Sequence, residues 1–468
     1  MAKWHDLPSE LIYEALCYLN QPQILRVCFV SRFLLAIAEP LLYRNPDLTR
    51  GLSNGEGPAF FELRGFARQI ISRPRFAPMV RKLNIASCEL ESDAARSPSP
   101  SLFDEHCDAA DVDRLYAIQT DVEREDLKVA MAAMAEEGIP NALVIEGGWM
   151  GEVVALLHHL PQLLSLSISG LTSFRLLAYA AMGKLVGGVP IGLRTISYLH
   201  LTDRIDPYLV VPFMHLSNLT TFSIYPFGGI LGPYDGPWLL NDVQPANFDS
   251  ALPPDSEMIR RGTSSITDLC FVSSDVGLRF LNGLLTFPRK LKKFECVISG
   301  TAIVARPSEL VPGLHLHRHS LTYLTFSGKF GGLFASDGVM IGSLSEFTSL
   351  TYLRLPLLML LGHPQEGVEL EMATMDPIAP LLPPSLVRLE LELRVWPFKE
   401  FMLVTGYPDS WLRSRRRFQS LEHFVVHRNI NIIYFDGDMS DIMPALAAFA
   451  DMKEKFEAAK ITVKPRVE

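Results

Sequence analysis

Leu321-Thr-Tyr-Leu-Thr-Phe326 and Leu350-Thr-Tyr-Leu-Arg-Leu355 share one pattern: apolar, two residues, apolar, one residue, apolar. The closing alternation is that of a strand, because side chains two apart lie on the same face. The phrase returns as Val80, Leu83, Ile85; Leu163, Leu166, Ile168; Ile196, Leu199, Leu201; Leu219, Phe222, Ile224; Ile266, Leu269, Phe271; and Leu291, Phe294, Cys296. It continues as Leu386, Leu389, Leu391 and Leu421, Phe424, Val426, with a weaker copy at Leu143 to Ile145. Asn218, Ser349, Ser385 and Ser420 each stand just before a phrase, which predicts one recurring turn ahead of each strand. Stacked strands would place Leu324, Leu353 and Leu389 at equivalent buried positions, with Thr325, Arg354 and Glu390 on the opposite, open face.

These phrases resemble the LxxLxL core of a leucine-rich repeat, in which each unit adds a short parallel strand to its neighbour. From Leu163 onward they begin at residues 163, 196, 219, 266, 291, 321, 350, 386 and 421, an irregular spacing. The likeness is therefore to the degenerate leucine-rich-repeat-like domains of fungal F-box proteins. It spans roughly residues 76 to 430. An irregular α/β domain with unrelated strands is the competing reading. Between phrases, Asp111 to Glu137 reads as a helix with Leu115, Ile118, Val122, Leu127 and Met131 on one face. Ser92 to Ser101 reads as a loop. Gly228 to Arg261 and Gly362 to Pro380 read as insertions, and Ser440 to Lys460, with Leu446, Phe449 and Phe456 on one face, as a capping helix.

The N-terminal stretch LPSELIYEALCYLNQPQILRVCFVSRFLLAIAEPLLYR, Leu7 to Arg44, has a different period. Pro8 and Ser9 make a helix start, with the serine hydroxyl as cap, and Leu11, Ile12, Ala15, Leu16 and Leu19 form one stripe. Asn20 and Pro22 open a second short helix carrying Ile24, Leu25, Cys28 and Phe29. A third runs from Val30 to Leu42, broken at Pro40. So short a segment rarely holds a core of its own, so another surface is expected to cover it.

This stretch resembles the F-box, by which substrate receptors of SCF-type ubiquitin ligases dock on a Skp-family adaptor. The likeness rests on Leu7-Pro8, Glu10-Leu11, Ile12, Leu16, Leu19, Leu25, Val30-Ser31-Arg32 and the ending Ala38-Glu39-Pro40-Leu41-Leu42-Tyr43-Arg44. It implies that Leu7, Pro8, Leu11, Ile12, Leu16, Leu19, Leu25, Val30 and Leu34 bind the adaptor. Where the family usually has Trp or Phe after the Val-Ser pair, this chain has Leu34, with Phe33 just before it.

Composition sets limits on other functions. The chain has 468 residues, more than one core normally supports. A net charge of -9 gives no basic footprint for nucleic acid. Cys17, Cys28, Cys88, Cys107, Cys270 and Cys296 form no CxxC pair, which fits free thiols in a reducing compartment. MAKWHDLPSE has no secretory leader, and the densest apolar run, Leu355 to Leu361, is too short for a membrane span. The expected location is intracellular, cytoplasm or nucleus, so the Asn218-Leu219-Thr220 sequon carries no weight.

Chemical motifs are sparse. GxxxxGK[ST], GxGxxG after a strand, GxSxG and HExxH are missing from the sequence. Gly328-Lys-Phe-Gly-Gly332 lacks phosphate-cradling spacing, and His158-His159 reads as a loop or helix end. His315, His317 and His319 alternate, so an extended Leu314 to Leu321 would put all three on one face, but without carboxylate or cysteine ligands beside them. Arg413, Arg415, Arg416 and Arg417 read first as a solvated loop, second as a site for an acidic or phosphorylated partner or a nuclear address.

The expected protein is α/β: an F-box-like three-helix module (1–46), a helical linker (47–75), then a leucine-rich-repeat-like solenoid with a parallel sheet and a C-terminal capping helix (76–468). The resemblance implies a non-enzymatic substrate receptor without cofactor or metal. Its partners would be a Skp-family adaptor, a cullin scaffold and a target protein, with no nucleic acid or membrane. Two alternatives stay open: an interaction scaffold without ubiquitin transfer, and an enzyme on an α/β repeat fold.

Overall fold

The computed structural model describes residues 7–46, 48, 59–86, 148–169, 175–181, 183, 188–202, 207–225, 261–274, 278–298, 307–328, 341–361, 379–393, 420–428, 450–451, 453–458 and 462–467. The Leu143 phrase, the 111–137 helix, the 92–101 loop, Cys88, Cys107, the arginines at 413 and 415–417, and nearly all of the two insertions lie outside these residues. Contacts divide the chain into two units, 1–205 with 209–221, and 206–208 with 222–468.

The first unit opens with three helices: α1 (Ser9–Cys17), α2 (Gln21–Cys28) and α3 (Arg32–Arg44). Ser9 is already inside α1; the cap position is Pro8 and makes no side-chain hydrogen bond, contrary to the serine cap expected. Asn20 caps α2 in a reciprocal box: its side chain accepts from the Gln23 N–H at 3.1 Å, and Gln23 Oε1 accepts from the Asn20 N–H at 3.0 Å. Ser31 Oγ caps α3 through the Leu34 N–H at 3.1 Å. α3 runs unbroken through Pro40, against the expected break. Proline forfeits one helical bond there, while Leu34, Ala38, Leu41 and Tyr43 stay buried along the helix.

α3 leads directly into the α/β part of this unit. Arg44 O accepts from the Arg81 N–H at 2.8 Å, Pro46 O from the Asn84 N–H at 3.3 Å, and Asn84 O from the Leu48 N–H at 2.9 Å. Arg44, Pro46 and Leu48 thus lie along β1 (Lys82–Ala86) and the residue before it. Tyr43 stacks on Phe76 with centroids 4.3 Å apart, and its hydroxyl donates to Gln69 Oε1, 2.5 Å away on α4 (Ala59–Ser72). Parallel pairing then runs from β1 to β2 (Ser165–Ser169) to β3 (Tyr198–Thr202). The Gly148–His158 helix, with Val153 to Leu157 buried, packs on α4.

β4 (Thr221–Ile224) falls at the division between the units. In the second unit β5 (Asp268–Ser274), β6 (Lys293–Ile298), β7 (Tyr323–Gly328), β8 (Tyr352–Pro356), β9 (Arg388–Leu393) and β10 (His423–Arg428) pair in parallel, in sequence order. All ten fully described phrases end in a strand. Short helices at Leu278–Leu284, Val311–His315 and Leu357–Leu361 stand between strands. One strand was not foreseen: β11 (Thr462–Val467) pairs with β10 and follows the helical residues 450–451 and 453–458, so these do not end the sheet. Among them Phe456 packs on Phe424, centroids 5.5 Å apart.

Register explains why the phrase has its form. Leu324, Leu353 and Leu389 are directly matched across β7, β8 and β9, and none is more than 2% exposed. In four phrases a hydroxyl at the second position ties the layer to the one before it. Ser197 Oγ donates to Leu164 O (3.2 Å), Thr220 Oγ1 to Ser197 O (3.0 Å), Thr322 Oγ1 to Lys292 O (3.0 Å) and Thr351 Oγ1 to Thr322 O (3.0 Å). The residue before the phrase does similar work: Asn218 donates to Arg194 O, Ser349 to His319 O at 2.8 Å and Ser385 to Leu350 O at 2.8 Å. The recurring turn is therefore real, and its polar side chains bond across layers.

Candidate functional site

Ile12, Leu16, Ile24, Leu34, Ala38 and Leu41 form the core of the three-helix module, with Tyr13, Leu19, Val27, Cys28, Phe33, Ile37 and Leu42 packed around it. A segment of this length cannot bury all its apolar residues. More than half of the exposed large apolar side chains among the described residues belong to residues 7–35: Leu7, Leu11, Tyr18, Leu25, Phe29, Val30 and Leu35. Tyr18 is 90% exposed, Phe29 83% and Val30 70%, values that leave nearly the whole side chain in water. Tyr18 and Phe29 cap α1 and α2 in helical backbone conformation, so Leu11 and Tyr18, seven apart, lie on one side, as do Leu25 and Phe29, four apart.

The residues singled out from sequence separate into two groups. Leu7, Pro8, Leu11, Leu25 and Val30 are on the outside of the module. Ile12, Leu16 and Leu34 are in its interior, and Leu19 is half-buried. Tyr18 and Leu35 were missed, and Phe29, though on the apolar pattern of the second helix, was not singled out as a docking residue. Tyr18 closes α1, where the period that the stripe criterion selects ends.

At the module's inner side burial acts first and the Glu39 carboxylate second. Burial raises the Tyr43 hydroxyl above its ordinary range, and the Glu39 carboxylate adds to this; the Cys28 thiol is raised by the same two causes. Both groups stay neutral near pH 7, which suits a joint built on packing.

The sheet face opposite the leucine layer is a second surface. Register aligns Lys293, Tyr323, Tyr352 and Arg388 in one row, and Glu295, Thr325, Arg354 and Glu390 in the next. The expectation of an open face here needs correction. Thr325 is 3% exposed, Glu390 1% and Glu392 4%. Arg354 Nε donates to Glu392 Oε1 at 2.8 Å, and Arg388 Nε to Glu390 Oε1 at 2.6 Å. Buried carboxylates are tolerable here because each has a guanidinium beside it. Burial raises the Tyr352 hydroxyl strongly, helped by the Glu390 charge, and pushes the Cys270 thiol up to about 11, helped by Glu295.

The three alternating histidines do not share a face, because Val311–His315 is helical and a turn follows it. His317 is buried; its Nε2 donates to Leu285 O at 2.7 Å and its Nδ1 accepts from the Leu291 N–H at 3.3 Å. His315 lies 3.9 Å from Glu346, and His319 bonds Thr348 Oγ1 at 3.2 Å. Each imidazole has its own partner within the protein. His158 ends a helix, one of the two places expected for it.

No family model matches the chain, and no curated protein matches it. Among the described residues no helix is long and apolar enough to cross a membrane.

Proposed function

We propose that this protein is a substrate-recognition subunit of an SCF-type ubiquitin ligase. Its N-terminal helices dock on a Skp-family adaptor and thereby on a cullin scaffold, and its α/β part, a leucine-rich-repeat-like solenoid, holds a target protein inside the cell. The chain then needs no acid, base or nucleophile of its own, because proximity to the charged conjugating enzyme drives the reaction. The observation that carries this reading is the outward set Leu11, Tyr18, Leu25, Phe29 and Val30, on a three-helix module whose order of residues resembles the F-box. Exposed apolar patches of this kind mark protein-interaction sites. The solenoid reading draws support from the in-order parallel strands and from the hydroxyl bonds that repeat from layer to layer.

Tyr43, Arg44, Pro46 and Leu48 belong to the first α/β layer, so removing residues 1–46 would damage both parts. The test therefore uses surface substitutions: affinity purification of the full chain and of a Leu11→Ala, Phe29→Ala variant. The expected result is adaptor and cullin with the former and neither with the latter. Recovery of adaptor without cullin favours an interaction scaffold that transfers no ubiquitin. Recovery of neither with the unaltered chain overturns the proposal.

A further inference from the structure

Along β6 to β9, Lys293 Nζ lies 4.9 Å from the Tyr323 ring centroid, Tyr323 and Tyr352 stack 4.2 Å apart and within 4° of parallel, and the Arg388 guanidinium lies 5.6 Å from the Tyr352 centroid. Both cations are paired, Lys293 with Glu295 at 3.0 Å and Arg388 with Glu390 at 2.6 Å. Exposure is unequal, however. The cation side chains are 39% and 44% exposed, their carboxylates 25% and 1%. The row thus turns donors outward, and neither cation spends all its N–H groups on partners among the described residues.

Resting on the reading that the α/β part holds a target, we propose that this face binds an extended target segment carrying two carboxylate side chains four residues apart. Lys293 and Arg388 are three strand steps apart, about 14 Å at the usual inter-strand spacing. Residues i and i+4 of an extended chain lie on one side, about 13 Å apart; i and i+3 point to opposite sides. The Tyr323 and Tyr352 rings, stacked face to face between the two cations, present their edges to the residues between. Carboxylate suits the site better than phosphate. Each cation keeps a glutamate beside it, so the local charge is balanced and a dianionic phosphate meets more repulsion there than a single carboxylate.

The test measures fluorescence anisotropy of the full-length chain with nine-residue Ser/Thr/Val peptides. One carries Glu at its third and seventh positions, one Glu at its third and sixth, and one phosphoserine at its third and seventh. The expected result is binding of the first about tenfold tighter than the second, with the difference lost in Lys293→Gln. Equal affinity for the two spacings, or a preference that survives Lys293→Gln, overturns the inference; tighter binding of the phosphoserine peptide overturns the choice of carboxylate. Adaptor capture by the same samples separates the two claims. A chain that captures the adaptor but shows no spacing preference overturns this inference alone, whereas failure to capture the adaptor overturns the receptor reading.

Discussion

Leu353→Ala is the sharpest perturbation of the layered sheet. Leu353 is 0% exposed and sits in register between Leu324 and Leu389, themselves at 2% and 0%. Losing three buried carbons forfeits about 2.4 kcal/mol of transfer free energy. The cavity left between two other leucines adds to this, for a total of about 3–4 kcal/mol. For a unit of this size, each kcal/mol moves the midpoint by about 2–4 °C, so differential scanning calorimetry of the full chain should show a drop of about 6–16 °C in one transition. Arg354→Ala is the control on the other face. It leaves Glu392, 4% exposed, without its partner at 2.8 Å, so it is not neutral as the repeat pattern implies. Arg354 is itself 19% exposed, so solvent offsets part of the loss, and the cost should be about 1–2 kcal/mol. A Leu353→Ala shift below about 1 °C, or one smaller than that of Arg354→Ala, would refute the stacked-leucine account.

Other substitutions read the packing between layers. A Cβ at Gly313 would stand 2.7 Å from Asn282 Oδ1 and 2.8 Å from Leu285 Cβ, so Gly313→Ala should destabilise by about 1–3 kcal/mol. Gly65, in α4 with nothing within 4 Å, should give the opposite sign: Gly65→Ala stabilises by about 0.5–1 kcal/mol, and chemical denaturation of both variants checks the pair. Burial lowers the pKa of His158, His200, His215 and His317, so the unfolded chain binds more protons near pH 6. Their neutral forms contribute stability that is complete above about pH 6.5 and lost as pH falls below it; thermal melts from pH 8 to 5 should show this, with a shallower decline in His317→Gln.

The strands were legible because their signal is local. Each phrase places three apolar residues where a buried strand needs them, and Ser or Thr at fixed offsets bonds to the preceding layer. β11 was not legible: its sequence TVKPRV has no phrase and contains Pro465, which is tolerated at the end of a sheet. The histidine row misled because alternation in sequence means a shared face only in extended backbone, and this segment is the end of a short helix followed by a turn. In the module, periodicity identified the apolar stripe but did not say which half faces inward. Ile12 and Leu11 are adjacent in the pattern, yet one is 0% and the other 54% exposed. That choice depends on how α2 and α3 pack, which no single helix encodes.

The role of the N-terminal module is tested most directly by titrating purified Skp-family adaptor against the full-length chain and its Leu11→Ala, Phe29→Ala variant. Both positions are exposed, so the variant should keep its thermal transitions while losing at least about thirtyfold in adaptor affinity, about 2 kcal/mol, the loss expected when anchors of an interface are truncated. An affinity within about threefold of the unaltered chain, in a variant that remains folded, would contradict adaptor docking through this surface.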